Sequence, residues 1–338
     1  MSGSKLVALV SRYRDLGIDS QIDYQKFYLY SIITHSTAIE GSTVTEIENQ
    51  LLFDKGITAK GRTLEEQMMN LDLKKAYERS IELSNLHGPV SVEMLKELSS
   101  LVMKNTGSTY QTALGSFSTA NGDLRLLNVT AGIGGRSYMS FTKVPSRLED
   151  FCAKLNLARQ SLDRSNLEDI YDLSFEAHYG LVTIHPWADG NGRMARLLMN
   201  QLQFEYGVIP SKVLKEDKEG YIKSLVQSQE SDDSSFFKAF MRENLCKNLQ
   251  KEIDSFLQST EMGGEKEKMG GEKEKWGEKT RDIIVRQIRQ NPNVTMSELA
   301  SAVGISPKAV EKQIARMKKD GLLIRIGPDK GGHWEIVS

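Results

Sequence analysis

A charged, glycine-rich repeat at residues 261–280 is the feature that most limits how this chain can fold. A seven-residue unit, GGEKEK followed by Met or Trp, occurs twice there and then begins a third time. Glycine pairs with alternating charge are typical of a linker, since each glycine inside a helix costs about 1 kcal/mol. We therefore predict a large domain over residues 1–260 and a smaller one over 280–338. The linker between them, at 261–279, should contain short ordered pieces at most.

Helical periodicity dominates the first 260 residues. Apolar residues return there every three or four positions, as in YQKFYLYSIITHSTAIE at residues 24–40. The exception is the range 115–144, where β-favouring residues lie on either side of an AGIGG turn signal. The pattern predicts a mainly α domain that carries one β-hairpin.

Composition indicates the cellular compartment of the protein but not its partners. The formal net charge of −1 indicates no class of partner. Two cysteines, Cys152 and Cys246, are too few for a disulfide framework, which favours buried thiols in a reducing compartment. The N-terminal apolar run is too short for a signal peptide, and no stretch approaches the roughly 20 apolar residues of a membrane span. We expect a cytoplasmic protein with no membrane partner.

The stretch HPWADGNGRMAR, residues 185–196, lies between two helical patterns. Pro186 disfavours helical backbone in the residue before it, so the first helix should end at His185. The connection Gly190-Asn191-Gly192 leaves unpaired backbone N–H groups at the start of the second helix, where the helix dipole is positive. The stretch therefore predicts an anion site suited to phosphate.

Four side chains of this stretch suit phosphate chemistry. Arg193 and Arg196 lie three residues apart at the start of the second helix, so both can reach an extended polyphosphate. Asp189 is an oxygen ligand suited to Mg²⁺, and His185 can accept a proton from a hydroxyl near neutral pH. Each residue alone is compatible with a structural role, but the combination has no folding rationale. It predicts phosphoryl-type transfer from a nucleotide to an alcohol, without the GxxxxGK[ST] loop, which the sequence lacks.

The same residues resemble the signature of the Fic family, His-Pro-Phe-x-Asp/Glu-Gly-Asn-Gly-Arg-x-x-Arg, with Trp187 in place of phenylalanine. The resemblance covers about residues 25–255. It implies a mainly helical Fic fold that transfers AMP from ATP to a Ser, Thr or Tyr hydroxyl of a target protein. It also implies that His185 is the base, Asp189 the Mg²⁺ ligand and Arg196 the γ-phosphate ligand. The α- and β-phosphates would be held by Gly190, Asn191, Gly192 and Arg193.

Residues 36–41, STAIEG, resemble the inhibitory helix motif [Ser/Thr]-x-x-x-Glu-Gly/Asn of this family. The resemblance implies an inhibitory helix over about residues 25–41, in which Glu40 lies four residues after Ser36 and pairs with Arg196. That pair would occupy the group that holds the γ-phosphate and would leave ATP misaligned for attack. The same letters are compatible with an ordinary helix end capped by glycine.

Two further segments resemble features of the family. The hairpin predicted at 115–144 resembles the flap that aligns a target chain by β-strand addition. However, Ser118 and Phe141-Thr142 stand where many members have Arg and Pro-Pro, so target choice cannot be predicted. Tyr221 resembles a tyrosine that lies beside the adenine, and a packing role is equally compatible. We predict that His178 is a hydrogen-bonded core histidine rather than a second base.

Residues 280–338 have the pattern of a winged helix-turn-helix, with three helical stretches followed by a strand pair. Thr295 is predicted to cap the second helix. Residues 278–338 hold eleven Lys or Arg against seven Asp or Glu, a net charge of +4, which suits contact with DNA phosphates. Docking to a protein and homo-oligomer formation remain open for this module. The basic face of the third helix, over residues 306–319, consists of Lys308, Lys312, Arg316 and Lys319.

Two classes of function fit these observations. The first is an autoinhibited adenylyltransferase that its C-terminal module brings to a target. The second is a DNA-binding regulator whose Fic-like domain senses nucleotide or modifies only itself. Removal of AMP from a modified protein, with Glu40 positioning water, is also open. The presence of His185 favours the transferase, because a sensor needs no base.

Overall fold

The structure is a computed structural model that describes residues 4–131 and 137–270. In the C-terminal part it describes 284–285, 287–289, 291–292, 294–303, 310–311, 314–315, 317–318, 323–326 and 333–336. The chain divides into two compact units, Met1–Ile253 and Asp254–Ser338. In the described residues, each unit contains helices and one two-stranded sheet, so the prediction of a mainly α fold with few strands is confirmed.

Helices account for most of the larger unit. Two of them begin at capping boxes that their own sequence supplies, in which Thr45 pairs with Glu48 and Thr63 with Glu66. These pairs satisfy backbone N–H groups that a helix start leaves unpaired. The helices are α1 (Lys5–Asp15), α2 (Tyr24–Ile39), α3 (Glu46–Lys55), α4 (Leu64–Leu86), α5 (Val92–Val102), α6 (Val144–Ser161), α7 (Leu167–Ile184), α8 (Asn191–Glu205), α9 (Lys218–Ser231) and α10 (Ser235–Gly270).

Helix α8 lies at the centre of the larger unit and packs against α4, α5 and α7. Nearly all of its residues are buried, polar ones included. Asn200 shows how the polar ones are paired: it accepts a hydrogen bond from Tyr77 Oη at 2.7 Å and donates one to the Ser211 carbonyl at 2.8 Å. Because buried polar groups with full partners hold one geometry, the first turn of α8 is presented at a fixed place.

The C-terminal end of α2 is anchored by a buried polar network. Asn70 on α4 accepts hydrogen bonds from Thr37 Oγ1 and Asn49 Nδ2, each at 2.8 Å. It also donates to Ser42 Oγ at 3.2 Å. The network ties α2, α3 and α4 together directly beside Glu40.

We expect Asn70→Ala to destabilise the fold by at least about 1 kcal/mol, because Asn49 Nδ2 loses one of its two buried acceptors, and a buried group that loses a partner costs roughly 1–3 kcal/mol. Chemical denaturation followed by circular dichroism measures the change. Asn85→Ala is the matched control, since Asn85 lies on the same helix and is exposed, and it should change stability by less than about 0.5 kcal/mol. Equal stability of the two variants would contradict the role given to the network.

The structure corrects the extent of the hairpin predicted at 115–144. The regular two-stranded hairpin comes earlier and consists of β1 (Thr109–Thr112) and β2 (Gly115–Ser118), with Tyr110 opposite Phe117. Within 115–144, Thr130 and Ser137 form a single antiparallel bridge across the predicted turn, whose residues 132–136 lie outside the described part. Elsewhere in the predicted hairpin, residues 119–121 and 141–143 form short 3₁₀ helices instead of strands.

The structure also differs from the prediction for the linker. Helix α10 continues over residues 261–270, which were expected to contain short ordered pieces at most. Glutamate and lysine are good helix formers, and their number in this segment outweighs the cost of its glycines. The remaining linker residues, 271–279, lie outside the described part of the chain.

The smaller unit has an apolar core of its own. Thr295 forms a capping box with Glu298 at the start of α11 (Met296–Val303), as predicted. Strands β3 (Leu323–Ile326) and β4 (His333–Ile336) pair antiparallel. The basic residues predicted to face outward at 306–319 lie outside the described residues. The core residues are Ile284, Ile288, Val294, Leu299, Ala300, Val310, Ile314, Met317, Leu323 and Trp334.

Two observations bear on the compositional predictions. Cys152 and Cys246 are free and buried, as expected for thiols that pack like small apolar side chains. Among the residues that the structure describes, no helix has both the length and the apolar character needed to cross a membrane.

Candidate active site

His185 ends helix α7 in a backbone conformation that is uncommon for a side chain of its size. Its φ and ψ are 54° and 62°, in the left-handed region. Its N–H still donates to the Leu181 carbonyl at 3.1 Å, and Pro186 follows, as the sequence predicted. The chain therefore turns sharply at His185 and enters the loop that leads to α8.

The His185 imidazole is held in one tautomer. Its Nδ1 lies 3.2 Å from the Val182 carbonyl, and a carbonyl only accepts, so Nδ1 carries the hydrogen and Nε2 keeps its lone pair. Burial lowers the pKa of His185 to about 4, and the nearby Arg125 adds to this effect. The ring of Tyr138 stacks on the imidazole, with centroids 3.7 Å apart. His185 is thus a neutral, oriented proton acceptor.

The loop between α7 and α8 is fixed by buried hydrogen bonds. Asn191 accepts from the Trp187 N–H at 3.1 Å and donates to the Trp187 carbonyl at 2.9 Å. The Trp187 indole is buried and donates to the Gly122 carbonyl at 3.1 Å, which agrees with the packing role predicted for an aromatic residue here. Gly190 has a φ of 82°, and a side chain on it would collide with Met103 Sδ at 2.7 Å. The start of α8 therefore needs glycine at this position.

Arg193 is buried on the first turn of α8 and has few partners. Its Nη2 lies 3.1 Å from Met103 Sδ and its Nη1 3.5 Å from the Val102 carbonyl, both weak acceptor contacts. Its Nε has no hydrogen-bond partner among the described residues. Burial lowers the pKa of Arg193, as expected for a cation withdrawn from water. An under-partnered guanidinium at a helix N-terminus is suited to receive an anion.

Arg196, in contrast, has a full set of partners. Its Nη2 donates to Glu40 Oε1 at 2.5 Å and to the Ser36 carbonyl at 3.0 Å, and its Nε donates to Ser36 Oγ at 2.8 Å. Burial opposes the charge on Arg196, but Tyr221 and Glu40 outweigh it and raise the pKa. Burial likewise opposes the charge on Glu40, yet Arg196 keeps the pKa of that carboxyl below its usual value. The residues of the predicted inhibitory motif therefore meet the second arginine of the loop.

Gly192 leaves the space in which this ion pair forms. A Cβ on Gly192 would lie 2.8 Å from Glu40 Oε1 and 3.1 Å from Arg196 Nη1. Glu40 directly follows the last residue of α2, and its side chain is 33% exposed, so the carboxylate lies at the rim of the site. The carboxylate thus occupies the surface that the glycine loop presents to an anion.

Tyr221 lies beneath Arg196. Its hydroxyl accepts from Arg196 Nη1 at 3.4 Å and is 2.8 Å from His178 Nε2. Both Tyr221 and His178 are fully buried, and His178 stacks on Phe237. Burial lowers the pKa of His178 far below its usual value. This placement agrees with the core histidine predicted at 178, while contact between Tyr221 and adenine stays a prediction.

Asp189 is the carboxylate that the site offers to a cation. One oxygen, Oδ1, accepts from the Gly190 N–H at 2.6 Å, and Oδ2 is 3.8 Å from Arg193 Nη2. The side chain is 61% exposed, so Oδ2 is open to solvent. In the described residues, no cluster of three or more His, Cys, Asp or Glu could enclose a metal by itself. One carboxylate fits Mg²⁺ when phosphate oxygens and water complete the coordination.

Two residues of the site were missed by sequence analysis. Arg125 is buried and donates to the carbonyl of His185, and Tyr138 covers the imidazole. An arginine within the apolar run LRLLNV was the available signal for Arg125, whereas a tyrosine in a loop gives none. A cavity of about 310 Å³ borders Tyr138, Met139 and Thr183.

Comparison with known proteins agrees with this geometry. Residues 89–203 match the Fic/DOC family, and residues 278–324 match a family described as winged helix-turn-helix DNA-binding. The chain therefore contains a Fic/DOC domain, which includes the loop between α7 and α8, and a C-terminal winged helix. The first match does not include α2 or Tyr221.

Curated relatives match about two thirds of the chain. The protein adenylyltransferase Fic of Nematostella vectensis is 27% identical over 234 residues, which are 68% of this chain and 48% of that protein. The protein adenylyltransferase fic-1 of Caenorhabditis elegans is 28% identical over 204 residues, 60% of this chain and 36% of that protein. The chain thus spans half or less of the length of each relative.

Solved structures show the same fold. A Fic domain containing signaling protein from Bacteroides thetaiotaomicron superposes with a TM-score of 0.62 at 21% identity, over 75% of this chain and 98% of that one. A Fic family protein from Desulfovibrio desulfuricans superposes with a TM-score of 0.57 at 18% identity, over 100% and 97% of the two chains.

Proposed function

We propose that the protein is an adenylyltransferase that moves AMP from ATP to a hydroxyl side chain of a target protein, and that Glu40 restrains this activity. The observation that carries the proposal is the meeting of three groups at one helix start. A neutral His185, the N–H groups of the glycine loop and two buried arginines converge there. The names of the two adenylyltransferase relatives support the same conclusion.

The phosphates would bind along the first turn of α8. Backbone N–H groups of Asn191 and Gly192 and the positive end of the dipole suit the α- and β-phosphates, and the Gly190 N–H can join them once it leaves Asp189 Oδ1. Arg193 can join them, since its guanidinium lacks a carboxylate partner within hydrogen-bond distance. Arg196 would take the γ-phosphate when Glu40 is displaced. The bound triphosphate would then lie with its α-phosphorus nearest His185.

The transfer step needs one base and one leaving group. A target hydroxyl gives its proton to His185 Nε2 while its oxygen bonds to the α-phosphorus. The bond from the α-phosphorus to the bridging oxygen breaks, and pyrophosphate leaves with the electron pair. Positively charged side chains and N–H groups at the helix start stabilise the charge that develops on the phosphate oxygens. Asp189 would hold Mg²⁺, which supplies charge neutralisation on the leaving pyrophosphate.

The inhibition follows from competition for one guanidinium. Glu40 occupies Arg196 Nη2, so the γ-phosphate of an incoming ATP meets a carboxylate instead of a free donor. The negative charges of the Glu40 carboxylate and the γ-phosphate repel each other, so the nucleotide can enter only in a displaced pose. An ATP whose α-phosphorus is displaced from the line of attack reacts slowly, because transfer depends on the alignment of the reacting atoms.

The position of an isotope label within ATP tests the proposed reaction directly. Purified Glu40→Gly protein is incubated with Mg²⁺ and with ATP labelled either at the α- or at the γ-phosphate, alone and with a cell lysate. Transfer of AMP puts the α-label and not the γ-label on protein. Label from the γ-position would indicate phosphoryl transfer instead, and label from neither would reject the proposal.

The pH dependence of the reaction should reflect the low pKa of His185. The base works in its neutral form, so with a pKa of about 4 it stays active until the pH falls below about 5. We expect kcat/KM of the Glu40→Gly protein to be level between pH 8 and roughly 5.5 and to fall below that range. Parallel measurements of ATP binding at each pH separate the titration of the nucleotide from the titration of His185. A half-loss near pH 6.5, the ordinary histidine value, would contradict the assignment.

We also propose that the C-terminal module contacts DNA. Support comes from its match to a DNA-binding winged-helix family and from the net charge of +4 over residues 278–338. Binding through phosphates weakens steeply as salt rises, so duplex affinity measured between low and physiological salt should fall along a straight line in a log–log plot. A module that docks only to protein would show no such binding at any salt concentration.

A further inference from the structure

Arg125 is a buried cation for which the described residues provide no carboxylate partner. Its side chain is 1% exposed, and its guanidinium donates to three backbone carbonyls: Nε to His185 at 2.8 Å, Nη1 to Leu127 at 2.9 Å and Nη2 to Met139 at 2.7 Å. Its own N–H donates to the Pro186 carbonyl at 3.0 Å. One residue therefore joins the backbone of the base to both arms of the flap, which we define as residues 127–131 and 137–140.

This arrangement is costly for a purely structural contact. A buried charge is normally paired with an opposite charge, and burial lowers the pKa of Arg125, which shows that desolvation is not repaid by a counter-ion. The planar fork of guanidinium donors reaches three carbonyls on three segments at once. Lysine, with a single ammonium centre, cannot reproduce that geometry.

The contacts of Arg125 converge on the imidazole. His185 has left-handed backbone angles, and the bond from Arg125 Nε fixes the direction of its carbonyl. The bonds to Leu127 and Met139 hold the two arms of the flap, and Tyr138, next to Met139, places its ring on the imidazole. The ring is thus held on one edge by Val182 and on one face by Tyr138.

We propose that Arg125 is a positioning residue, which aligns the base by locking the flap and the His185 backbone into one arrangement. It touches neither the reacting hydroxyl nor the phosphates. This proposal rests on the proposed transfer reaction for its kinetic part. Its structural part, a single orientation of the imidazole, can be measured without ATP.

The test compares Arg125→Met and Arg125→Lys in the Glu40→Gly background. We expect Arg125→Met to lower kcat on the order of 10- to 100-fold, because misplacement of a reacting group slows the reaction by about that much. The KM for ATP should change by less than about threefold, because Arg125 is not proposed to touch ATP. Arg125→Lys should be intermediate. In long-range ¹H–¹⁵N spectra of histidine-labelled protein without ATP, the His185 signals should lose their single-tautomer pattern in Arg125→Met. Arg147→Met, at an exposed position of α6, is the control and should change neither quantity.

Several results would contradict the positioning role. A kcat within twofold of the Glu40→Gly protein, or unchanged His185 signals, would overturn the positioning role. A fall in kcat together with an equal rise in KM would also overturn it, because that pattern indicates damage to ATP binding and not misplacement of the base alone. If Arg125→Met does not fold, Arg125→Lys decides by the same criteria. If Glu40→Gly itself transfers no AMP, the proposed reaction fails, and the spectra alone test the orientation.

Discussion

Replacing Glu40 with glycine should raise AMP transfer at least about tenfold over the parent protein. The carboxylate occupies Arg196 at 2.5 Å in a partly buried contact, and a hydrogen bond to a charged group is typically worth about 1.5–3 kcal/mol, while each 1.4 kcal/mol corresponds to tenfold. The freed guanidinium keeps its bonds to Ser36 and Tyr221 and stays in place for the γ-phosphate. Initial rates of α-label incorporation at equal protein and ATP concentrations measure the gain.

Two further substitutions show whether charge or volume inhibits. Glu40→Gln keeps the size of the side chain and removes its charge, whereas Glu40→Ala removes both without the added backbone freedom of glycine. We expect all three variants to bind ATP more tightly than the parent, with the alanine and glycine variants equally active. If all three transfer AMP at the parental rate, Glu40 is not inhibitory, and its contact with Arg196 only caps α2.

The predictable part of the site was local in sequence. His185, Asp189, Arg193 and Arg196 lie within twelve positions, so the end of one helix, a short loop and the first turns of the next helix bring them together. The contact between Glu40 and Arg196 joins residues 156 positions apart. It was predicted through resemblance, because periodicity indicates that α2 is buried without indicating which helix it packs against.

The unpredicted part depends on contacts that no local pattern encodes. Arg125 binds backbone carbonyls, which every residue has, so no complementary side chain in the sequence indicates its partners. The flap was predicted as a regular hairpin from β-favouring residues, and its described residues form one antiparallel bridge, between Thr130 and Ser137. The bonds from Arg125 to Leu127 and Met139 also join its two arms, and strand propensity does not predict such tertiary contacts.

Removing the imidazole of His185 should lower AMP transfer by about 10²–10⁴-fold in the Glu40→Gly background, the usual contribution of a general base. The mechanism predicts that kcat falls while ATP binding changes little, because Nε2 faces the attacking hydroxyl and the phosphates bind at α8. His185→Asn is preferred to His185→Ala, since asparagine tolerates the left-handed backbone that His185 adopts. Both rates and ATP affinity are measured, so that loss of binding is not mistaken for loss of the base.

His87 provides the matched control for the backbone of this variant. It ends helix α4 with a φ of 50°, in the same left-handed region as His185, but its side chain is 56% exposed and lies 3.5 Å from Glu205. Any cost of replacing a helix-ending histidine therefore appears in His87→Asn as well, whereas loss of the base appears only in His185→Asn. If the two variants lower transfer equally, strain at helix ends explains the loss and the imidazole takes no part in proton transfer. A large difference between them assigns proton acceptance to the His185 imidazole, because both positions have left-handed backbone and differ in what surrounds the ring.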